Sequence, residues 1–352
     1  MTLVELENFE TEGNKMKKVL FASTALIATA SVAAAEVRFS GYGRFGIGYL
    51  EDRGFTTTTT TASGATNTFF NEADETILVS RFRLNLDANV ETDGGVEFSG
   101  RVRLQADEDA STGEANSAGL NGARFSVIYG GLRVDAGNVA GAFDNLANYY
   151  GNEPGLENFI GQYSGVDYNF LAYSSTGSGS NAVFFQYAVG DFAFGASYDQ
   201  ATIFQGQGVT SDADRWDISA TYTFNNITAA LAYGQTDSDG ILDDDPSLLV
   251  LTLGAEFGDF SGTVFVADDK TEVDETDGTA WGVSAAYNVG SALTLTFAYG
   301  DGNADGDLQQ YGIGALYDLG GGASLRGGIG NSDCDICDDS QLRADFGAQF
   351  NF

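Results

Sequence analysis

The 352-residue chain holds 47 Gly, 26 Phe and 16 Tyr against 2 Pro, 2 Met, 2 Cys and no His, a usage that favours strands and turns over helices. Fifty acids face 16 bases for a formal charge of −34, which excludes nucleic acid as a partner, because phosphate binding requires clustered cations. Hydrophobic residues at 43% exclude a disordered polyanion, and the absence of histidine removes the common general base and the serine- and cysteine-type triads, so no catalytic residue is assigned and no enzyme is expected.

The first segment reads as an export signal. Lys15, Lys17 and Lys18 form a positive head, Val19 to Val32 an apolar stretch, and Ala33 to Ala35 offer small residues for cleavage before Glu36. The apolar stretch is too short to span a bilayer. Met16 reads as a natural start, which would make residues 1–15 an upstream over-extension, and the expected mature domain is residues 36–352. The segment carries three lysines and four glutamates, and its loss leaves the charge at −33. Two cysteines in the whole chain suit an exported protein.

From Glu36 onward, runs of about 8–14 residues alternate apolar with polar, long enough for tilted transmembrane strands. Trp216, Ile218, Ala220, Tyr222 and Phe224 form one apolar face. Leu293, Leu295, Phe297 and Tyr299 form another, and Tyr311, Ile313, Ala315, Tyr317 and Leu319 a third. The last runs from Leu342 to Phe352, with Arg343, Asp345, Gly347, Gln349 and Asn351 on the opposite side. Period 2 alone would also suit a soluble sandwich. Two features favour a membrane barrel. Aromatics bracket the apolar faces as girdles do: Trp216, Tyr233, Trp281, Tyr299 and Tyr311 at one end, Phe224, Phe257, Tyr287 and Tyr317 at the other. Connections also alternate in length. Tight turns at 93–95, 130–131, 190–191, 225–226, 258–259, 290–291 and 320–322 alternate with long polar segments at 51–75, 108–121, 139–165, 201–214, 237–246, 270–278, 302–308 and 332–340.

Counted singly, the runs number 17, which would leave the chain ends on opposite sides of a membrane. Joining 166–175 and 181–190 into one strand, broken at Thr176–Ser180, gives 16. The predicted fold is therefore all-β: a 16-stranded antiparallel transmembrane β-barrel, closed so that every backbone polar group has a partner and wide enough for a water-filled lumen.

Parity then assigns the arginines. With Val37, Phe39, Phe45 and Ile47 facing lipid, Arg38 and Arg44 face the lumen. With Phe82, Leu84 and Leu86 outside, Arg81 and Arg83 face in; with Phe98, Val102 and Leu104 outside, so do Arg101 and Arg103. Arg124 and Arg133 obey the same rule. Arg44, Arg81, Arg83, Arg101 and Arg103 lie mid-strand on neighbours about 4.8 Å apart and form one cationic wall. Segment 139–165 holds Phe143, Leu146, Tyr149, Tyr150, Leu156 and Phe159, too apolar for a solvated loop. Folded into the lumen, this third loop would bury them and turn Asp144, Glu153 and Glu157 toward the arginines; a loop that merely caps the outer mouth is the alternative.

Several segments resemble the general diffusion porins of alphaproteobacterial outer membranes: Val37 to Gly54 (VRFSGYGRFGIGYLEDRG), Ser80 to Leu84 (SRFRL), Glu91 to Gly94 (ETDG), Gly137-Asn138-Val139 with Ala142-Phe143-Asp144, and the terminal Phe352. The resemblance spans the mature chain and is most specific in its first half. It implies a homotrimer of 16-stranded barrels whose third loop folds inward as an eyelet, loop acids facing wall bases. Carried over by position, the wall is Arg44, Arg81, Arg83, Arg101 and Arg103, and the loop acids are Asp144, Glu153 and Glu157. Phe352 resembles the family's assembly signal. Partners on this reading are outer-membrane lipid, lipopolysaccharide, and small polar solutes and ions, with passive transport as the function. Two departures stand out: a threonine run, Thr56 to Thr61, and Cys334 with Cys337 in the last loop.

No cofactor is required. The outer loops gather hard oxygen ligands at Glu51, Asp52, Glu72, Asp74, Glu75, Asp107, Glu108 and Asp109, and again at Asp243 to Asp245, so loop-bound Ca²⁺ or Mg²⁺ is an expectation. Cys334 and Cys337 lack the βα setting of a redox motif and are too few for zinc, which leaves a small oxidised loop. Two rivals remain. A substrate-specific channel of the same fold would show a ladder of inward aromatics, and only Tyr42 and Phe265 point that way. A secreted acidic Ca²⁺-binding β-protein or adhesin would fit the Gly and Asp content but shows no calcium repeat.

Overall fold

The computed structural model describes residues 36–60, 66–110, 112–204, 210–238, 245–271, 274–337 and 339–352. The export segment, Thr61, Asp243 and Asp244 lie outside the described residues.

The strands are β1 (Glu36–Leu50), β2 (Gly54–Thr60), β3 (Thr66–Glu72), β4 (Thr76–Glu91), β5 (Glu97–Asp107), β6 (Gly119–Leu120), β7 (Arg124–Tyr129), β8 (Leu132–Gly137) and β9 (Ala182–Val189). They continue as β10 (Phe192–Phe204), β11 (Thr210–Phe224), β12 (Ile227–Ser238), β13 (Ser247–Phe257) and β14 (Phe260–Lys270). The last five are β15 (Gly278–Val289), β16 (Leu293–Gly302), β17 (Gln309–Gly320), β18 (Ala323–Asp333) and β19 (Gln341–Asn351). β2 and β3 form a separate hairpin in the first loop. The two-residue β6 and β7 pair with successive stretches of β5 and occupy one barrel position, so the cylinder has sixteen. Every neighbouring pair is antiparallel, and β1 closes the ring between β4 and β19, with Arg44 opposite Arg81 on one side and Gln349 on the other. Among the described residues no helix is long and apolar enough to cross a membrane; the crossing falls to strands, whose backbone groups pair around the closed sheet.

Tight turns cluster at one rim. Gly130, Gly190 and Gly258 hold a positive φ there, and Asn225 does so at φ 53, as a two-residue hairpin on twisted strands demands, while Gly290 does so in a three-residue turn. The outer face is apolar: Phe39, Phe45, Ile47, Leu251, Ile313 and Phe346 are exposed on it. Trp216 packs on Tyr233 and Trp281 on Tyr299 along one edge of that band, while Phe224, Phe257, Tyr287 and Tyr317 stand exposed on the same outer face.

The hydrophobic core sits inside the barrel. Along β13, Leu248, Val250 and Thr252 are fully buried while Leu249, Leu251 and Leu253 are exposed, so this strand is apolar on both faces. Its inner face, with Ala230, Ala232, Phe265, Ala267 and Ala280, packs against Phe143, Leu146, Tyr149 and Tyr168 of the segment between β8 and β9. Each large side chain removed from water there contributes about 2 kcal/mol.

That segment corrects one expectation. Residues 166–175 are not a strand broken from 181–190; they are irregular and extend the inward loop to 138–181, and β9 alone supplies the barrel position. Alternation at Val166, Tyr168 and Phe170 mimics a strand, but the backbone finds side-chain partners instead. The N–H groups of Asp167 and Tyr168 donate to Asp269, that of Tyr173 to Asp144 and that of Ser174 to Asn138.

Candidate channel lining

The arginine wall is built by register. β1, β4 and β5 are adjacent, with Arg44 opposite Arg81, Asp87 opposite Arg101 and Asn85 opposite Arg103. Period 2 points all five arginines inward, where each finds a polar partner. Arg44 and Arg81 both engage Oε1 of Glu157 on the inward loop, Arg81 at 2.7 Å. Arg81 also pairs with Asp107 at 2.6 Å, and Arg101 with Asp87 at 2.5 and 3.0 Å. Arg83 donates to Gln105 at 2.5 Å and Arg103 to Asn85 at 2.8 Å; both also reach Ser175. Arg133 pairs with Asp135, with Arg124 4.0 Å away. Asp87, Asp107 and Asp135 are wall acids that the arginine pattern did not announce, although each follows the same parity.

Of the three loop acids, Glu157 alone bonds the arginines. Asp144 accepts hydrogen bonds from the Tyr173 N–H at 2.9 Å and the Tyr150 hydroxyl at 2.5 Å, and so holds the loop's own limbs together. Glu153 accepts from the Tyr163 hydroxyl at 2.8 Å. Side chains within the loop thus outcompete the wall for these two carboxylates. Burial pushes the carboxyls of Glu153 and Glu157 above their ordinary value, opposed at Glu157 by Arg44 and Arg81.

The loop is tied around the barrel wall by groups that read from sequence only as polar faces. Asp345 accepts the backbone N–H groups of Leu156, Glu157 and Asn158 at 2.7–2.8 Å. Gln310 accepts from Ile160 at 2.6 Å, Ser284 from Asn152 at 2.8 Å, and Ser197 from Ala142 at 2.9 Å. Arg215, buried with Asp199, donates to the Asn169 carbonyl. Where loop backbone lies on strand the wall is glycine. A Cβ at Gly282 would collide with the Gln162 carbonyl, and one at Gly328 would come within 2.9 Å of the Gly155 backbone. Arg343 also belongs here, donating to the Asn158 carbonyl at 3.0 Å.

Several outer acids are held by protein groups. Glu51 accepts from the Leu342 N–H, Glu108 from the Ser80 N–H and Asp109 from the Thr112 N–H, while Asp107 is held by Arg81. Asp52, Glu72 and Glu75 border a recess beside Arg53. Among the described residues no three acidic, histidine or cysteine groups are placed to hold an ion. Thr57, Thr58 and Thr59 lie exposed on β2 opposite Phe69, Thr68 and Asn67. Cys334 and Cys337 form a disulfide, closed by a Cys337 N–H to Cys334 carbonyl bond. Phe352 ends the ladder, exchanging two backbone bonds with Gly41 while its ring stacks on Phe82 at 5.6 Å.

A profile of the Gram-negative porins matches residues 22–336. The chain belongs to the Gram-negative porin family. Relatives of this porin include the porin of Fuscovulum blasticum, 29% identical over 90% of this chain and 100% of that one. The porin of Rhodobacter capsulatus is 30% identical over 78% of this chain and 93% of that one. Among solved structures, a substituted form of the Rh. blastica porin superposes with a TM-score of 0.70 at 26% identity, covering 90% of this porin and all of that chain. The chain is an outer-membrane porin, a membrane channel built on a 16-stranded barrel, with passive diffusion as its role.

Proposed function

We propose that this porin is a non-enzymatic general diffusion channel whose narrowest section lies where the inward loop meets the arginine wall and leaves only part of the bore open. The observation that carries this reading is Glu157, which pins the tip of the inward loop directly onto Arg44 and Arg81 of the wall. A sixteen-stranded barrel leaves an aqueous bore. Segment 138–181 occupies part of it and packs on β12–β15, so the remaining passage runs beside the arginines. Acid on one side and guanidinium on the other set up a field across the passage, which orders water and admits small polar solutes and ions. The loop contributes Glu157, paired with the wall itself, and Glu153 nearby, while Asp144 braces the loop from within. We also propose a homotrimer, which rests on kinship with the family. A sugar-specific slide receives no support from Phe265, which is fully buried under the loop and meets no solute.

Liposome swelling tests the reading. Reconstituted protein is expected to admit neutral sugars at rates that fall smoothly with size and show no saturation. Saturable uptake of one sugar, or no swelling at all, would contradict it.

A further inference from the structure

The arginines of the wall are unequally neutralised. Arg44 and Arg81 share Glu157, Arg101 holds Asp87, and Arg133 holds Asp135. Arg83 and Arg103 have no carboxylate within 4.0 Å among the described residues. Their Nε groups donate to the neutral carbonyl oxygens of Gln105 and Asn85. Their outer nitrogens converge on one hydroxyl, Ser175 Oγ, at 3.3 Å from Arg83 and 2.7 Å from Arg103. Two guanidinium forks aimed at a single neutral oxygen hold it where an anion's oxygen would sit, and each fork keeps further N–H donors.

The surroundings fit the same ligand. The Tyr42 ring lies 5.1 Å from the Arg83 guanidinium, and the Tyr173 ring 4.6 Å from that of Arg103 and 5.5 Å from that of Arg124. Stacking on aromatic faces fixes the forks while leaving their edges free for an acceptor. The buried Tyr173 hydroxyl has no hydrogen-bond partner. Replacing the Ser175 oxygen by a charged one would make each N–H···O contact about twice as strong. Ser175 sits at the end of the inward loop, so only one side chain has to turn aside.

We propose that Arg83 and Arg103, bridged by Ser175 and backed by Tyr42 and Tyr173, form a lumen-wall site for small oxyanions, solutes bearing a phosphate or carboxylate group. The proposal rests on the channel reading and names a solute class that dwells on the wall. In a chain of net charge −34, bulk electrostatics repel anions, and a local site of unspent guanidinium donors offsets that repulsion for oxyanions.

The test uses full-length protein in planar bilayers in potassium chloride at fixed pH and ionic strength, with inorganic phosphate or acetate added. Wild-type current is expected to fall saturably with either oxyanion and to remain unchanged with an equal addition of chloride. The double variant Arg83→Gln, Arg103→Gln is expected to conduct, with the phosphate midpoint raised at least about tenfold, the worth of one lost charge-assisted contact. Arg38→Gln, at an exposed position paired with Glu36, should keep the wild-type midpoint. If the double variant does not assemble, Arg103→Lys keeps the charge but loses the fork, and must still raise the phosphate midpoint. A conducting wild type without saturable block overturns the proposal and leaves the channel reading standing. Equal block in wild type and variants also overturns it. A wild type that never conducts overturns the channel reading itself.

Discussion

Asp345 and Glu157 meet back to back at the tip of the inward loop: the Glu157 N–H donates to Asp345 Oδ2 at 2.7 Å, while the Glu157 carboxylate turns away to Arg44 and Arg81. One wall carboxylate therefore fixes the backbone that presents the other. A carboxyl that gathers three successive N–H groups serves them as acceptor, and an amide in its place would turn an N–H against at least one of them. Asp345→Asn is expected to destabilise the fold by about 2 kcal/mol, the range of a lost charged hydrogen bond. It should also increase open-channel noise. Channels as quiet and as heat-stable as wild type would show that the tip is held by other contacts.

Phe143 anchors the other limb of the loop in the core of β12–β15 and is fully buried. Phe143→Ala is expected to cost about 3–5 kcal/mol through the cavity it leaves. The barrel ladder makes no use of that ring, so strand content by circular dichroism should be retained while conductance rises as the loop loosens. Conductance identical to wild type, with a lowered melting point, would show that the loop does not restrict the bore.

Asp307, in the outer loop between β16 and β17, is 4% exposed and lies near Asp167 of the inward loop and Asp301. Burial and these like charges push its carboxyl up to about 6 from an ordinary 3.8. The folded chain thus holds this proton more tightly than the unfolded chain. Its contribution to stability is present at low pH and is lost as pH rises from about 4 to about 6. Asp307→Asn should flatten the pH dependence of the melting temperature across that window. Parallel pH profiles for the two proteins would remove Asp307 as the cause.

Much of this was legible in the chain because period 2 ties residue number to barrel face. That rule alone placed Arg44, Arg81, Arg83, Arg101 and Arg103 inside, and the sixteen positions followed from turns alternating with loops. Where backbone leaves the ladder the rule has nothing to act on. Residues 166–175 alternate like a strand, yet satisfy their N–H groups through Asp269, Asp144 and Asn138, which lie far away in sequence. Asp144 and Glu153 look like Glu157 as residues; tyrosines 150, 173 and 163 claim them only once the loop is folded. Arg343, which by position near the outer end of β19 looks remote from the loop, bonds the Asn158 carbonyl. Asp345 and the glycines at 282 and 328 carried a signal that could have been read, small or acidic residues on an inner face, but only a docked loop gives it meaning.

The account centres on a passage lined by the arginine wall and the loop acid Glu157 bound to it, and the reversal potential in an asymmetric potassium chloride gradient tests that most directly. Neutralising Arg81, Arg83 and Arg101 together should shift selectivity toward cations, because mid-barrel lumen charge is poorly screened. Glu157→Gln should shift it toward anions. Reversal potentials equal to wild type in both variants would contradict the account.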